Sequence, residues 1–92
     1  MHTLIIQPEA KEDIQESFDW YEAQKPGLGY EFLEKMDEAL AEICANPLYY
    51  GSLNKNLRRY RIKRFPFLIV YGINKKKIAV VGVRHMSRKP KF

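Results

Sequence analysis

"KNLRRYRIKRFPFLIVY" (residues 55–71) decides how the chain folds. Its first ten positions carry six positive charges and no acid, and the rest is the most apolar run of the protein. Along "NLRRYRI" the period is two, so Arg58, Tyr60 and Ile62 fall on one side and Arg59, Arg61 and Lys63 on the other. "FLIVYGI" (residues 67–73) is apolar on both faces, as a central strand is, and "IAVVGV" (residues 78–83) predicts a third strand of the same kind. "NKKK", around Asn74, reads as the turn between these two. Pro66 cannot donate to a ladder, so it belongs in the preceding turn and the strand proper starts at residue 67.

Before residue 53 the period is helical, apart from "TLII" (residues 3–6), a short β-branched stretch that predicts a strand. Pro8 then sits where a helix can start without its N–H, and Glu9, Glu12 and Asp13 suit the positive end of the helix dipole. Ala10, Ile14, Phe18 and Tyr21 form one apolar stripe. "QKPGLG" (residues 24–29) ends that helix. A second helix is predicted from near Tyr30, with Phe32 or Leu33, Met36, Leu40, Ile43 and Cys44 buried, until Asn46 and Pro47 stop it. The order strand, helix, helix, strand, strand, strand predicts an α+β fold: a helical hairpin packed on one face of a curled, mainly antiparallel sheet.

The 92 residues predict one domain, 1–92, without internal repeats or linkers. A single cysteine, Cys44, cannot form an internal disulfide and reads as core filler. The longest apolar run is far too short for a bilayer span and the N-terminus lacks a signal-like pattern, so a cytoplasmic protein with no membrane partner is expected. Two widely separated histidines and a lone cysteine make no metal site, and Gly27 and Gly29 follow no strand and precede no phosphate-binding lysine. The sequence calls for no metal and no cofactor.

Charge is divided by position. All eleven acids lie at or before Glu42 with only three lysines, a net of −8; the thirteen remaining Lys and Arg follow, without any acid. Exposed pairs across the seam are worth only about 0.2–1 kcal/mol each and cannot absorb that surplus, which points to a polyanionic partner. Arg59, Arg61 and Lys63 would stand about 6.6 Å apart on a strand rising about 3.3 Å per residue, close to the spacing of successive phosphates. Lys55 and Arg64 extend the row, and Lys89 joins the anion-binding set.

The tail "VRHMSRKPKF" (residues 83–92) holds a second cluster. Histidine ordinarily titrates near neutral pH, so His85 is a candidate to move a proton, while Arg84 and Arg88 could stabilise a crowded phosphate; such a set could cleave RNA through a 2′-hydroxyl without metal. The plainer reading is that His85 caps a strand. Trp20, Tyr21 and Tyr30 flank the interhelical turn and either pack the hairpin or dock a partner helix.

"DIQESFDWYEAQKPGLGYEFLEKMDEALAEICANP", "LRRYRIKRFPFLIVYGI" and "VVGVRHMSRKP" resemble the RelE/ParE superfamily of bacterial toxins, in particular the ParE-like group often labelled plasmid stabilisation proteins. The resemblance spans nearly the whole chain and is carried most specifically by "WYE" with "PGLG", by "RRYRIKRFPF" and by "RHMSRKP". It implies the same strand, two-helix, three-strand fold, and a toxin neutralised by a cognate antitoxin, as a homodimer or a heterotetramer with that antitoxin. It implies one of two activities. The ParE branch inhibits DNA gyrase by binding; the RelE branch cleaves messenger RNA on the ribosome. Where the ribonuclease branch commonly has an arginine before its central "LVY"-like segment, this chain has Leu68, and where that branch often has a C-terminal tyrosine it has Phe92. The positions that match are Lys55, Arg84, His85 and Arg88. The gyrase-type inhibitor is therefore the first expectation and the metal-independent endonuclease the second.

Overall fold

The computed structural model describes residues 2–87. The chain runs β1 (Thr3–Ile6), α1 (Pro8–Gln24), α2 (Leu28–Ala45), β2 (Arg58–Arg61), β3 (Phe67–Asn74) and β4 (Lys77–His85). The four strands form one sheet in the order β1-β4-β3-β2. β1 runs parallel to β4 and the other pairs are antiparallel. The sheet is mixed and open, with the two helices packed on one face: the predicted α+β architecture.

The apolar run 67–73 is central, as its two-sided hydrophobicity requires. Phe67, Ile69 and Tyr71 point into the core with Ile78, Val80 and Val83 of β4 and Tyr60 of β2, against Ala10, Phe32, Met36, Ala39 and Ile43 of the helices. Val81 is the extra residue of a β-bulge, since Gly82 opposes Val70 and Val80 opposes Tyr71. β2 ends at Arg61, two residues before the alternation in the sequence does. The chain turns there because Ile62 donates its N–H to Phe67 O and Arg64 takes a left-handed φ of 75°.

Two corrections concern the helices. α2 begins at Leu28, one half-turn before Tyr30. The fully buried face of α1 is Ala10, Asp13 and Ser17, rotated from the apolar stripe so that Ile14, Phe18 and Tyr21 lie at its border. Asp13 can be buried because its Oδ2 accepts the N–H of Val83 just past the bulge, at 3.0 Å, and Ser17 Oγ donates to Asp13 O at 2.9 Å.

The turn between the helices explains "WYE" and "PGLG". Gly27 adopts a φ of 92°, in the left-handed region, and α2 has no cap of its own. Glu22 supplies one: its carboxylate accepts the N–H groups of Gly27 and Gly29 at 2.9–3.0 Å. At Gly29 a Cβ would stand 2.8 Å from the Phe18 ring and the Phe18 carbonyl, so the two helices cross there without room for a side chain. This motif builds the hairpin.

Candidate partner-binding surface

Opposed residues of neighbouring strands point to the same face, so the registers lay out the face that bears no helix. Thr3, Lys77 and Asn74 form one row across it and Ile5, Ala79 and Gly72 the next. Gly82, Val70 and Arg59 form a third, and Arg84, Leu68 and Arg61 a fourth. No acidic residue occurs in any of the four strands. The loop leading into β2 lies over one corner, where Asn56 O and Leu57 Cδ2 would touch a Cβ placed on Gly72.

β2 positions Arg59 and Arg61 from its edge. Its outer side is paired only at its start, where Arg59 N–H donates to Gly51 O and Ser52 bridges Arg58. Arg58 points to the helix side and its Nη1 donates to the carbonyls of Tyr50 (2.7 Å) and Leu48 (3.3 Å), fastening the loop after α2. Tyr71 anchors that loop from below, its buried hydroxyl donating to Pro47 O at 2.8 Å. Arg59 and Arg61 are exposed, and the ion pairs formed among the described residues include neither.

The remaining cations of the expected row do not line up behind them. Lys63 lies past the end of β2 and lines a groove of about 340 Å³ against α2, with Glu38, Glu42 and Tyr60. Arg64 pairs with Glu31 of α2 and lies over the Phe65 ring, 5.4 Å from its centroid. That is a correction to the row: Arg64 sits in the turn, and its left-handed backbone sends the guanidinium back toward the helices. Lys55 is exposed on the loop before β2.

Arg84 and His85 are adjacent in β4 and so face opposite ways. Arg84 stands opposite Leu68 on the helix-free face; His85 stands opposite Phe67, its ring edge-on to the phenyl at 5.0 Å. His85 Nδ1 accepts the backbone N–H of Ser87 at 3.1 Å. Arg88 and Lys89 lie outside the described residues. Of the three aromatic candidates, Tyr21 is half-buried among Phe32, Phe65 and Phe67, with centroids 5.0–6.2 Å away. Trp20 and Tyr30 are exposed; Trp20 lies edge-on to Tyr21 and Tyr30 edge-on to Phe18.

The tyrosines near α2 are tuned by burial. Burial and a hydrogen bond to Glu42 push the Tyr50 hydroxyl up to about 12. Burial, with the nearby Glu42 and Glu38, raises Tyr60, and burial raises Tyr71. Tyr50 and Tyr71 are structural donors, to Glu42 and to Pro47 O, and Tyr50 and Tyr60 stack edge to face at 4.7 Å. Sequence reasoning overlooked Asp13, Glu22 and Arg58 as fasteners; only Glu22, five residues ahead of a glycine that starts a helix, carried a local signal.

A family model described as the ParE toxin of the type II toxin-antitoxin system, parDE, matches residues 4–90. No curated protein matches the chain. Among solved structures, one titled as the chromosomal ParDE TA system from P. aeruginosa superposes with a TM-score of 0.81 at 18% identity, covering 95% of this chain and 98% of that one. The isolated E. coli RelE toxin superposes with a TM-score of 0.70 at 17% identity, covering 97% of this chain and 88% of that one. At these identities the two structures establish the shared fold.

Proposed function

The chain belongs to the ParE toxin family of type II toxin-antitoxin systems, and from that premise we propose that it arrests growth in the cytoplasm by binding a nucleic-acid machine of the DNA gyrase type. A cognate antitoxin holds it inactive until that partner is lost, which is the logic of plasmid stabilisation. The observation that carries the reading is the pair Arg59 and Arg61, exposed side by side on a sheet face without acids. Cations fixed on a strand that is paired to the apolar β3 grip a polyanion without first having to be ordered. Trp20 and Tyr30, exposed at the other side of the molecule, offer the antitoxin an apolar hold.

The test is to induce the protein alone and time the failures. Supercoiling and replication should fail before translation, and His85→Ala should remain toxic. Translation stopping first would sink the proposal.

The second reading is ribosome-dependent cleavage of messenger RNA, favoured by Arg61 and Arg84 flanking Leu68 on one face. His85 would have to take the 2′-hydroxyl proton, yet it stands on the opposite face from both arginines. Loss of toxicity in His85→Ala with the fold intact, together with cut transcripts, would move the assignment to this reading.

A further inference from the structure

The end of the open face farthest from Arg61 is built around the β3–β4 turn, and two grooves meet there at Asn74. One, of about 410 Å³, runs past Asn54 and Lys55 of the loop before β2; the other, of about 560 Å³, is lined by Thr3 and by Lys75, Lys76 and Lys77 of the turn. All four lysines are exposed, no acid lines either groove, and the ion pairs formed among the described residues include none of the four. Thr3 donates its N–H to Lys76 O at 2.7 Å, which ties β1 to the turn, and Asn54 Oδ1 accepts the N–H groups of Asn56 and Leu57 at 2.9 and 3.0 Å, which fixes the loop around Lys55. Lys75 adopts a φ of 58°, a left-handed conformation that glycine or asparagine takes with least strain, yet the chain keeps a charge at that tip. Asn74 is six positions from Leu68 along β3, and Arg61 stands opposite Leu68, so the lysine end and the arginine end lie about 20 Å apart at about 3.3 Å per residue.

We infer that the turn end is a second anion grip, and that one strand of nucleic acid lies along the open face with its phosphates held by Lys55, Lys75, Lys76 and Lys77 at one end and by Arg59 and Arg61 at the other. The ligand class follows from the separation of the two ends. A free phosphate reaches only one of them, whereas a polynucleotide strings negative charge over the whole span. Lysine suits that task, because its ammonium meets a phosphate as a point charge and reads no sequence. A bilayer would ask for apolar side chains beside the lysines, and Thr3, Asn54 and Asn74 are polar. The inference rests on the reading of the chain as a binder of a nucleic-acid machine, and names the part of that machine it holds.

The probes are labelled oligo-dT strands of about 12 and about two nucleotides, titrated against the full chain by fluorescence anisotropy at several salt concentrations. The longer strand reaches both ends and should bind at least about a hundredfold tighter than the shorter one. Lys75→Gln, Lys76→Gln and Lys77→Gln together should cut that advantage to about tenfold, which the extra registers of a longer strand supply by themselves. The same triple change should lower the magnitude of the salt slope by about 2.1, at roughly 0.7 for each phosphate contact. Arg59→Gln with Arg61→Gln should cut the length advantage equally. Lys11→Gln with Lys25→Gln removes two charges from the helical hairpin and should leave it unchanged. Lys75→Asn relieves the left-handed turn, so its urea midpoint should rise while its binding weakens, a combination that a misfolded variant does not give.

A length advantage that survives the lysine changes would overturn the inference, as would an equal loss in the Lys11 and Lys25 variant. Tighter, lysine-dependent binding to vesicles rich in phosphatidylserine, or to polyglutamate of equal charge, would assign the turn end to a lipid surface or to an acidic protein instead. Growth arrest on induction is a separate readout. A chain that fails to arrest growth yet holds the longer strand through its lysines refutes the toxin reading and keeps the second grip; a toxic chain whose binding ignores the lysines does the reverse.

Discussion

Glu22 and Gly29 show how single residues build the turn between the two helices. A helix start leaves its first N–H groups without intrahelical acceptors, and here a carboxylate from the preceding helix accepts two of them. Glu22→Ala should therefore lower stability by about 0.5–2 kcal/mol, and Glu22→Gln by less, read as shifts in the urea midpoint at constant slope. Gly29→Ala drives a methyl into the Phe18 ring and carbonyl. The carbonyl cannot swing aside, so stability should fall by about 1–3 kcal/mol, and Phe18→Ala should not restore it fully. Tyr50 makes a third prediction. Its folded pKa, near 12, exceeds the ordinary 10.0, so the protonated phenol favours the fold. That contribution is complete below pH 10 and disappears as pH rises from about 10 to 12. Ultraviolet titration should show a tyrosine ionising late in that range, earlier in Glu42→Gln, and the urea midpoint should fall over the same interval.

At the scale of elements, the change of period at residue 53 was sufficient to place β2, β3 and β4, because strand and helix repeats differ too much to be confused over seven residues. The central position of β3 followed from its apolar character on both faces. What local pattern could not supply was the rotation of α1. A stripe drawn through Ile14, Phe18 and Tyr21 is the correct side of the helix, yet its centre holds Asp13 and Ser17. An acid at that position reads as a first-turn dipole partner until the β-bulge, formed some 70 positions later, offers it the Val83 N–H. Asp13→Ala should cost about 1–3 kcal/mol by leaving that buried donor without an acceptor, whereas Asp13→Asn retains an oxygen and should cost less. Equal losses in the two variants would show that the charge, not the hydrogen bond, holds the helix to the bulge. The site was legible in the same partial way: the alternation put Arg59 and Arg61 on the open face, but the strand's early end, fixed by the turn at Arg64, removed Lys63 and Arg64 from their row.

For the whole molecule, the division of charge along the chain becomes a division in space. The acids ride on the helical layer, while the strands carry none, so the open sheet face is the acid-free side of the molecule. Arg64 shows that the layers do neutralise each other where they meet, through its pair with Glu31; Arg59 and Arg61 point the other way, out of reach of the helices. Binding to a single-stranded polyanion should then weaken linearly in log K against log salt, with a slope set by the cations on the open face alone. Replacing Arg59 and Arg61 together by glutamine should reduce the magnitude of that slope by about 1.4, at roughly 0.7 for each phosphate no longer neutralised. Arg64→Gln should leave the slope nearly unchanged, because its charge is already answered by Glu31. The comparison separates a located surface from a diffuse one: net charge changes by one in the Arg64 variant, so if overall charge governed binding, that variant would lose half as much slope as the double replacement. Identical slopes per charge removed at all three positions would mean that the sheet face has no special part in the grip.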